Sequence, residues 1–328
     1  IGDDPRIATL HADISSSISI ADFEKNHPER KGRVFSVGIA EQDMMSVAAG
    51  LALEGMIPIA GTYGVFAAGR PWDQIRTTIC YDNLNVKIAG AHGGISVGPD
   101  GATHQALEEL SLMTVLPNMR VVAPCDAPET TRLCRAAILE VRGPVYMRYA
   151  REATPVVTSE KTPLVFGTAN VIRYRGPRGR FVDCFDTTLS TGYRGEGEAL
   201  TIVACGPIVA EVMRAALILK EESGLETRIV NMHTVKPLDT DILQRSLLDT
   251  GAILTCEEHQ KGGFGNIVAG SLCARKGMRD SFVFDMIGVE DRFGESGRPR
   301  ELMVHFGLTA EHIAARALDL VKRKERKD

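Results

Sequence analysis

Short apolar runs, each followed by a longer segment of helical period, recur from Ile7 onward and leave few folds open to this chain. Ile7–His11, Val34–Val37, Ile57–Gly61, Val86–Ala91, Arg120–Ala123 and Val145–Arg148 read as strands. Between them Gln42–Leu53, Pro71–Cys80, Leu107–Met113 and Ala127–Val141 have the spacing of amphipathic helices. Asp126-Ala127-Pro128-Glu129 is a helix start, with Asp as N-cap and Pro and Glu in the first turn. Strands separated by helices cannot pair as hairpins, so they are expected to lie parallel, with helices covering both faces of the sheet.

The 328 residues leave room for two domains. Around 154–163 the texture turns to Thr, Pro, Ser and Lys, as a linker would. Residues 173–198 follow, opening with Arg173-Tyr174-Arg175-Gly176-Pro177-Arg178-Gly179-Arg180, and read as an inserted, solvated loop. A second α/β unit is expected from Ala199. Its strands are Leu200–Ala204, Glu226–Met232, Ala252–Cys256 and Phe282–Ile287; its helices are Val209–Glu222, Asp239–Leu248, Asn266–Arg275 and Ala310–Lys322. The chain thus divides into 1–155, a linker with insertion over 156–198, and 199–328, ending in a charged tail expected to fray. There is no internal repeat.

Composition removes several classes of function. An apolar content of 44% and a charged content of 24% suit a protein with a real core. A net charge of −4 gives no general reason to bind nucleic acid or an anionic membrane. No apolar run approaches a membrane span, and no signal-peptide pattern is read at the start of the chain. The seven cysteines are scattered without CxxC pairs, which predicts reduced, mostly buried thiols in a cytoplasmic protein and no zinc site. The sequence opens on Ile1 rather than methionine, so a few native residues are expected to precede it.

Three stretches carry candidate chemistry. Gly38-Ile39-Ala40-Glu41-Gln42-Asp43 places Glu41 after a strand and at the start of a helix, where α/β proteins put ligand-contacting groups. The same position suits an acid favoured only by the helix dipole. Tyr63 and Phe66, in Thr62-Tyr63-Gly64-Val65-Phe66, follow the next strand and could stack on a flat ligand or fill core. The third stretch runs from His92 to Gln105 and holds His92, Asp100 and His104. Glycines 90, 93, 94, 98 and 101 suggest a tight loop with backbone close to a ligand. Its imidazoles and carboxylate can bind hydroxyls and move protons near neutral pH, although Asp100-Gly101 is also a common turn pair.

Together with Gly98-Pro99-Asp100-Gly101-Ala102-Thr103-His104-Gln105, these stretches resemble the C-terminal half of transketolase, a thiamine-diphosphate enzyme. The resemblance covers nearly the whole chain apart from 173–198. It implies a pyrimidine-binding α/β domain followed by the transketolase C-terminal domain, to which Thr234-Val235-Lys236-Pro237-Leu238-Asp239 and Glu257-Glu258-His259 correspond. It implies Glu41 as the acid that hydrogen-bonds the pyrimidine and activates the cofactor, kept protonated by burial against the ring. Phe66 would stack on the pyrimidine with Tyr63 beside it. His92 would contact the ketose near its carbonyl, Asp100 would read the neighbouring hydroxyl, and His104 would lie near the cofactor's amino group. Arg151 and Ser17 would hold the substrate phosphate, a guanidinium and a hydroxyl being suited to it. Asp13 matches an acid near the neighbouring protomer's cofactor site. No catalytic role is implied for the C-terminal domain, and His259 reads as structural.

Such enzymes hold the diphosphate through a metal on a Gly-Asp-Gly motif followed downstream by Asn-Asn, and this sequence has neither in that order. The resemblance therefore implies a subunit with no metal ligand of its own. Its partner would be an N-terminal transketolase subunit that binds the diphosphate with Mg2+ or Ca2+, in an α2β2 assembly acting on sugar phosphates of the pentose phosphate pathway. Ala40-Glu41-Gln42 is shared with other thiamine enzymes, including deoxyxylulose phosphate synthase. The histidine at 92 favours transketolase, because those synthases carry aspartate in that loop. A synthase-like ketol transferase, a non-catalytic scaffold subunit, and a fragment of a single-chain enzyme remain open at this point.

Overall fold

The structure, a computed structural model, describes residues 1–274 and 282–326. The expected helix end at Arg275 and the last two residues of the tail lie outside the described residues. The first sheet has seven strands in the order β11 (Thr234–Lys236), β5, β6, β4, β3, β1, β2. Six come from the first half: β1 (Ile7–His11), β2 (Val34–Ser36), β3 (Ile57–Tyr63), β4 (Lys87–Ala91), β5 (Arg120–Val122) and β6 (Val145–Arg148). These six pair in parallel throughout. Every residue of β1 and β6 is buried, as strands covered on both faces require. Asp126 caps the helix 127–139 by accepting from the Glu129 amide at 3.0 Å. Its other oxygen accepts from the amides of Val157 and Thr158 at 2.7 and 2.6 Å, which pins the connecting segment to the helix start.

The second sheet holds six strands in the order β13-β12-β9-β10-β7-β8: β7 (Asn170–Tyr174), β8 (Phe185–Leu189), β9 (Leu200–Ala204), β10 (Thr227–Asn231), β12 (Ala252–Gln260) and β13 (Val283–Val289). Here the sequence reading needs correction. The Arg- and Gly-rich segment is not a solvated loop: β7 and β8 form an antiparallel hairpin that extends this sheet. Arg173 is 4% exposed, bonded to Glu198 at 2.5 Å and to Glu226 at 2.9 Å. Its charge is cancelled by carboxylates far along the chain, which local composition does not reveal.

The strand β11 (Thr234–Lys236) also departs from expectation. It leaves the second unit and pairs antiparallel with β5 at the edge of the first sheet. The Lys236 ammonium donates to the carbonyls of Thr114 and Leu116 at 2.8 and 2.5 Å. One apolar cluster runs from Leu10, Met44 and Ile88 to Val230, Val235 and Phe264, so the two units share a core. Residues 71–80, expected as one helix, form a short helix at Trp72–Gln74 followed by a wider turn over Ile75–Cys80. The helix Gly64–Gly69, directly after β3, was not anticipated.

Candidate active site

The candidate residues gather at the C-terminal ends of β3 and β4 and at the start of the helix 41–53. Parallel strands bring loops of different sequence distance to one edge, so the cluster follows from topology. The Tyr63 ring stands 4.2 Å from that of His92 and 6.1 Å from that of Phe66, centroid to centroid. His104 approaches Tyr63 and Phe66 edge-on at 5.7 and 5.3 Å. Glu41 is 5% exposed in the first turn of its helix.

Glu41 does not face an open apolar ring. Arg70, just past the helix 64–69, donates from Nη1 to Glu41 Oε1 at 2.7 Å. The same guanidinium lies 3.9 Å from the centroid of Phe66. A flat cation thus stacks on the aromatic face while bonding the buried acid. Sequence reasoning missed Arg70, although its position four residues after Phe66 on one helical face was a usable signal.

His92 lies at φ 58°, in the left-handed region that non-glycine residues rarely occupy. It is 8% exposed and its Nδ1 has no hydrogen-bond partner. Burial, reinforced by the charge of Arg151 and opposed by that of Asp100, lowers its pKa below the usual histidine value. The ring is therefore neutral at neutral pH, with a buried nitrogen that no protein group satisfies. Asp100 pairs with Arg151 at 3.2 Å, both partly exposed, and Arg151 also donates to the Val97 carbonyl at 2.8 Å. The Thr103 hydroxyl and His104 Nδ1 are 2.8 Å apart.

Asp13 and Ser17 lie exposed on the loop after β1. Arg151 is held by Asp100 and Val97 as described, rather than shown with Ser17. Beside Asp13, His11 ends β1 with Nδ1 buried and unpartnered; burial lowers its pKa against the pull of Asp13. His259 is 1% exposed, with Nε2 at 2.8 Å from Glu109. Burial works to raise the pKa of Glu109, but His259 and then Arg148 overcome it, so this carboxyl ends below its usual range. All seven cysteines are free and five are buried. Among the described residues no group of three or more His, Cys, Asp or Glu side chains could hold a metal ion. No described helix is long and apolar enough to cross a membrane.

Residues 1–156 match the model of the transketolase pyrimidine binding domain, and residues 192–313 that of the transketolase C-terminal domain. A Methanocaldococcus jannaschii protein carried as a transketolase C-terminal section is 38% identical over 97% of this chain and 91% of its own length. The chain belongs to the transketolase family. A subunit of 6-deoxy-6-sulfo-D-fructose transketolase from a Clostridium species is 35% identical, covering 98% of this chain and 90% of that protein. Among solved structures, a split-gene transketolase described as an inactive β4 tetramer superposes with a TM-score of 0.80 at 40% identity. That match covers 97% of this chain and 93% of the other. The hairpin 170–189 lies between the two matched regions.

Proposed function

We propose that this chain is the C-terminal subunit of a split transketolase. It would move a two-carbon ketol unit from a ketose phosphate to an aldose phosphate with thiamine diphosphate, in the cytoplasm. The observation that carries the reading is the Glu41–Arg70–Phe66 stack. A planar, nitrogen-rich group lies on Phe66 within hydrogen-bond reach of Glu41, as an aminopyrimidine would, although there the acid would donate and the ring nitrogen accept. The surrounding residues fit the shape of that ring once Arg70 withdraws. Arg70 is about half exposed, which gives it a path into solvent. Thiamine diphosphate, when bound, supplies a stabilised carbanion that no side chain provides.

The chain's own groups would do the rest. Glu41 would hold the pyrimidine by a hydrogen bond to its ring nitrogen, and Phe66 and Tyr63 would keep water from its face. His92, neutral and with a free buried nitrogen, would bond the ketose near its carbonyl. Asp100 would take the adjacent hydroxyl, and Arg151 with Ser17 would take the phosphate. His104 would exchange a proton with the substrate oxygens. Asp13 would approach the second site of the assembly. Mg2+ or Ca2+ and the diphosphate would sit on an N-terminal subunit in an α2β2 complex. The missing Gly-Asp-Gly and Asn-Asn pattern supports this, as does the description of the related β-only tetramer as inactive.

The test is turnover of xylulose 5-phosphate and ribose 5-phosphate with thiamine diphosphate and magnesium. Activity in the complex purified with its partner, and none in the isolated chain, is expected. Activity in the isolated chain would refute the split-site reading. Turnover with pyruvate as donor would point instead to synthase-like chemistry.

A further inference from the structure

The loop from His92 to Gln105 belongs to the first unit, yet the second unit holds it. The Ser96 hydroxyl donates to Glu258 Oε2 at 2.5 Å, and Glu258 lies on β12 with 3% exposure. Gln105, 2% exposed, donates from Nε2 to the Ile95 carbonyl at 3.1 Å and to the Glu295 carbonyl at 2.9 Å. The backbone is confined as well. A Cβ on Gly98 would stand 3.0 Å from the Pro299 side chain, and one on Gly101 would overlap Ser296. Beneath the loop, a Cβ on Gly94 would run into Arg148 and Glu258. Arg148 is 1% exposed and is anchored 3.6 Å from Glu109, the carboxylate bonded to His259.

Loops that carry ligand contacts are usually the more mobile parts of a fold. This one is fastened midway between His92 and Asp100, at Ser96. His92 itself holds a backbone conformation that persists only when its surroundings over-determine it. We propose that Glu258 of the C-terminal unit is a positioning residue for the sugar site. By fixing Ser96 it sets the separation and aim of His92 and Asp100. The proposal rests on the reading of those two residues as ketose ligands. It gives the C-terminal unit a part in substrate selection rather than in packing alone.

The experiment measures donor KM and kcat in the complex with the partner subunit, for Ser96→Ala, Ser96→Thr, Glu258→Gln and His92→Asn. Loss of one hydrogen bond to a charged group should raise the donor KM about tenfold in Ser96→Ala, with kcat within about twofold. Ser96→Thr, which keeps the hydroxyl, should stay near the parent value. Glu258→Gln should fall between, and thiamine diphosphate affinity should not move in any of the three. An unchanged donor KM in Ser96→Ala and Glu258→Gln, beside a raised one in His92→Asn, would overturn the clamp alone, even if thermal midpoints fall. An unchanged KM in His92→Asn would overturn the ketose reading and the clamp with it.

Discussion

Replacing Arg70 with alanine should tighten cofactor binding, an outcome opposite to that expected for a ligand residue. In the chain as folded the guanidinium occupies the face of Phe66 and one oxygen of Glu41, so the pyrimidine must displace it. The displacement cost follows from two contacts. The ion pair joins a buried acid to a side chain that is 47% exposed, and solvent screening limits it to about 1 kcal/mol. The cation over the ring adds about 0.5–1 kcal/mol at such a site. Together these make roughly 1.5–2 kcal/mol, and their removal should lower the thiamine diphosphate Kd about 10- to 30-fold. Calorimetric titration of the complex in magnesium buffer reads this directly. Higher salt should narrow the gap between parent and variant, because screening weakens the half-exposed pair. A Kd that is unchanged or weaker in Arg70→Ala would show that the guanidinium does not compete for the ring site, and the stand-in argument would fall.

Glu41→Gln should assemble normally and lose about 100-fold or more in kcat, the usual scale for removing a positioned acid, as steady-state turnover of the complex would show. Lys87 is fully buried, bonded to the carbonyls of Val141 and Gly143, and burial pushes its pKa down to about 7. Between about 7 and the ordinary 10.5 the unfolded chain holds a proton that the folded chain has released, so the lysine's contribution to stability rises with pH across that window and is lost as pH falls through about 7. In denaturant unfolding the parent should therefore gain stability relative to Lys87→Met between about pH 7 and about pH 9.5; an unchanged difference would refute the buried-lysine linkage. Arg173→Ala should cost about 3–5 kcal/mol of stability by stranding Glu198 against fewer cations, measured by the same unfolding, while a loss below about 1 kcal/mol would argue that the hairpin charge network is dispensable.

What was legible in the sequence and what was not separate along a physical line. The parallel strands were readable because a strand buried on both faces must be apolar almost throughout, as Val145–Arg148 in the first sheet and Leu200–Ala204 in the second are. That Glu41, Phe66 and His92 would gather was readable because each lies within a few residues of a strand's C-terminal end or at a helix start, and a parallel sheet collects such positions at one edge. The failures share a cause. Arg173 looked solvated because its compensating Glu198 and Glu226 come from elsewhere in the chain. The Thr234–Lys236 strand looked like part of the second unit because its hydrogen-bonding partner, β5, lies in the first. The Glu258–Ser96 bond joins residues 162 positions apart, and no local pattern marks it. Local spacing reports which face of an element is buried, but not which distant charge neutralises a buried one or which unit grips a loop. In this chain the loop from His92 to Gln105 is written in the first unit and held by residues of the second, a grip that neither stretch of sequence shows by itself.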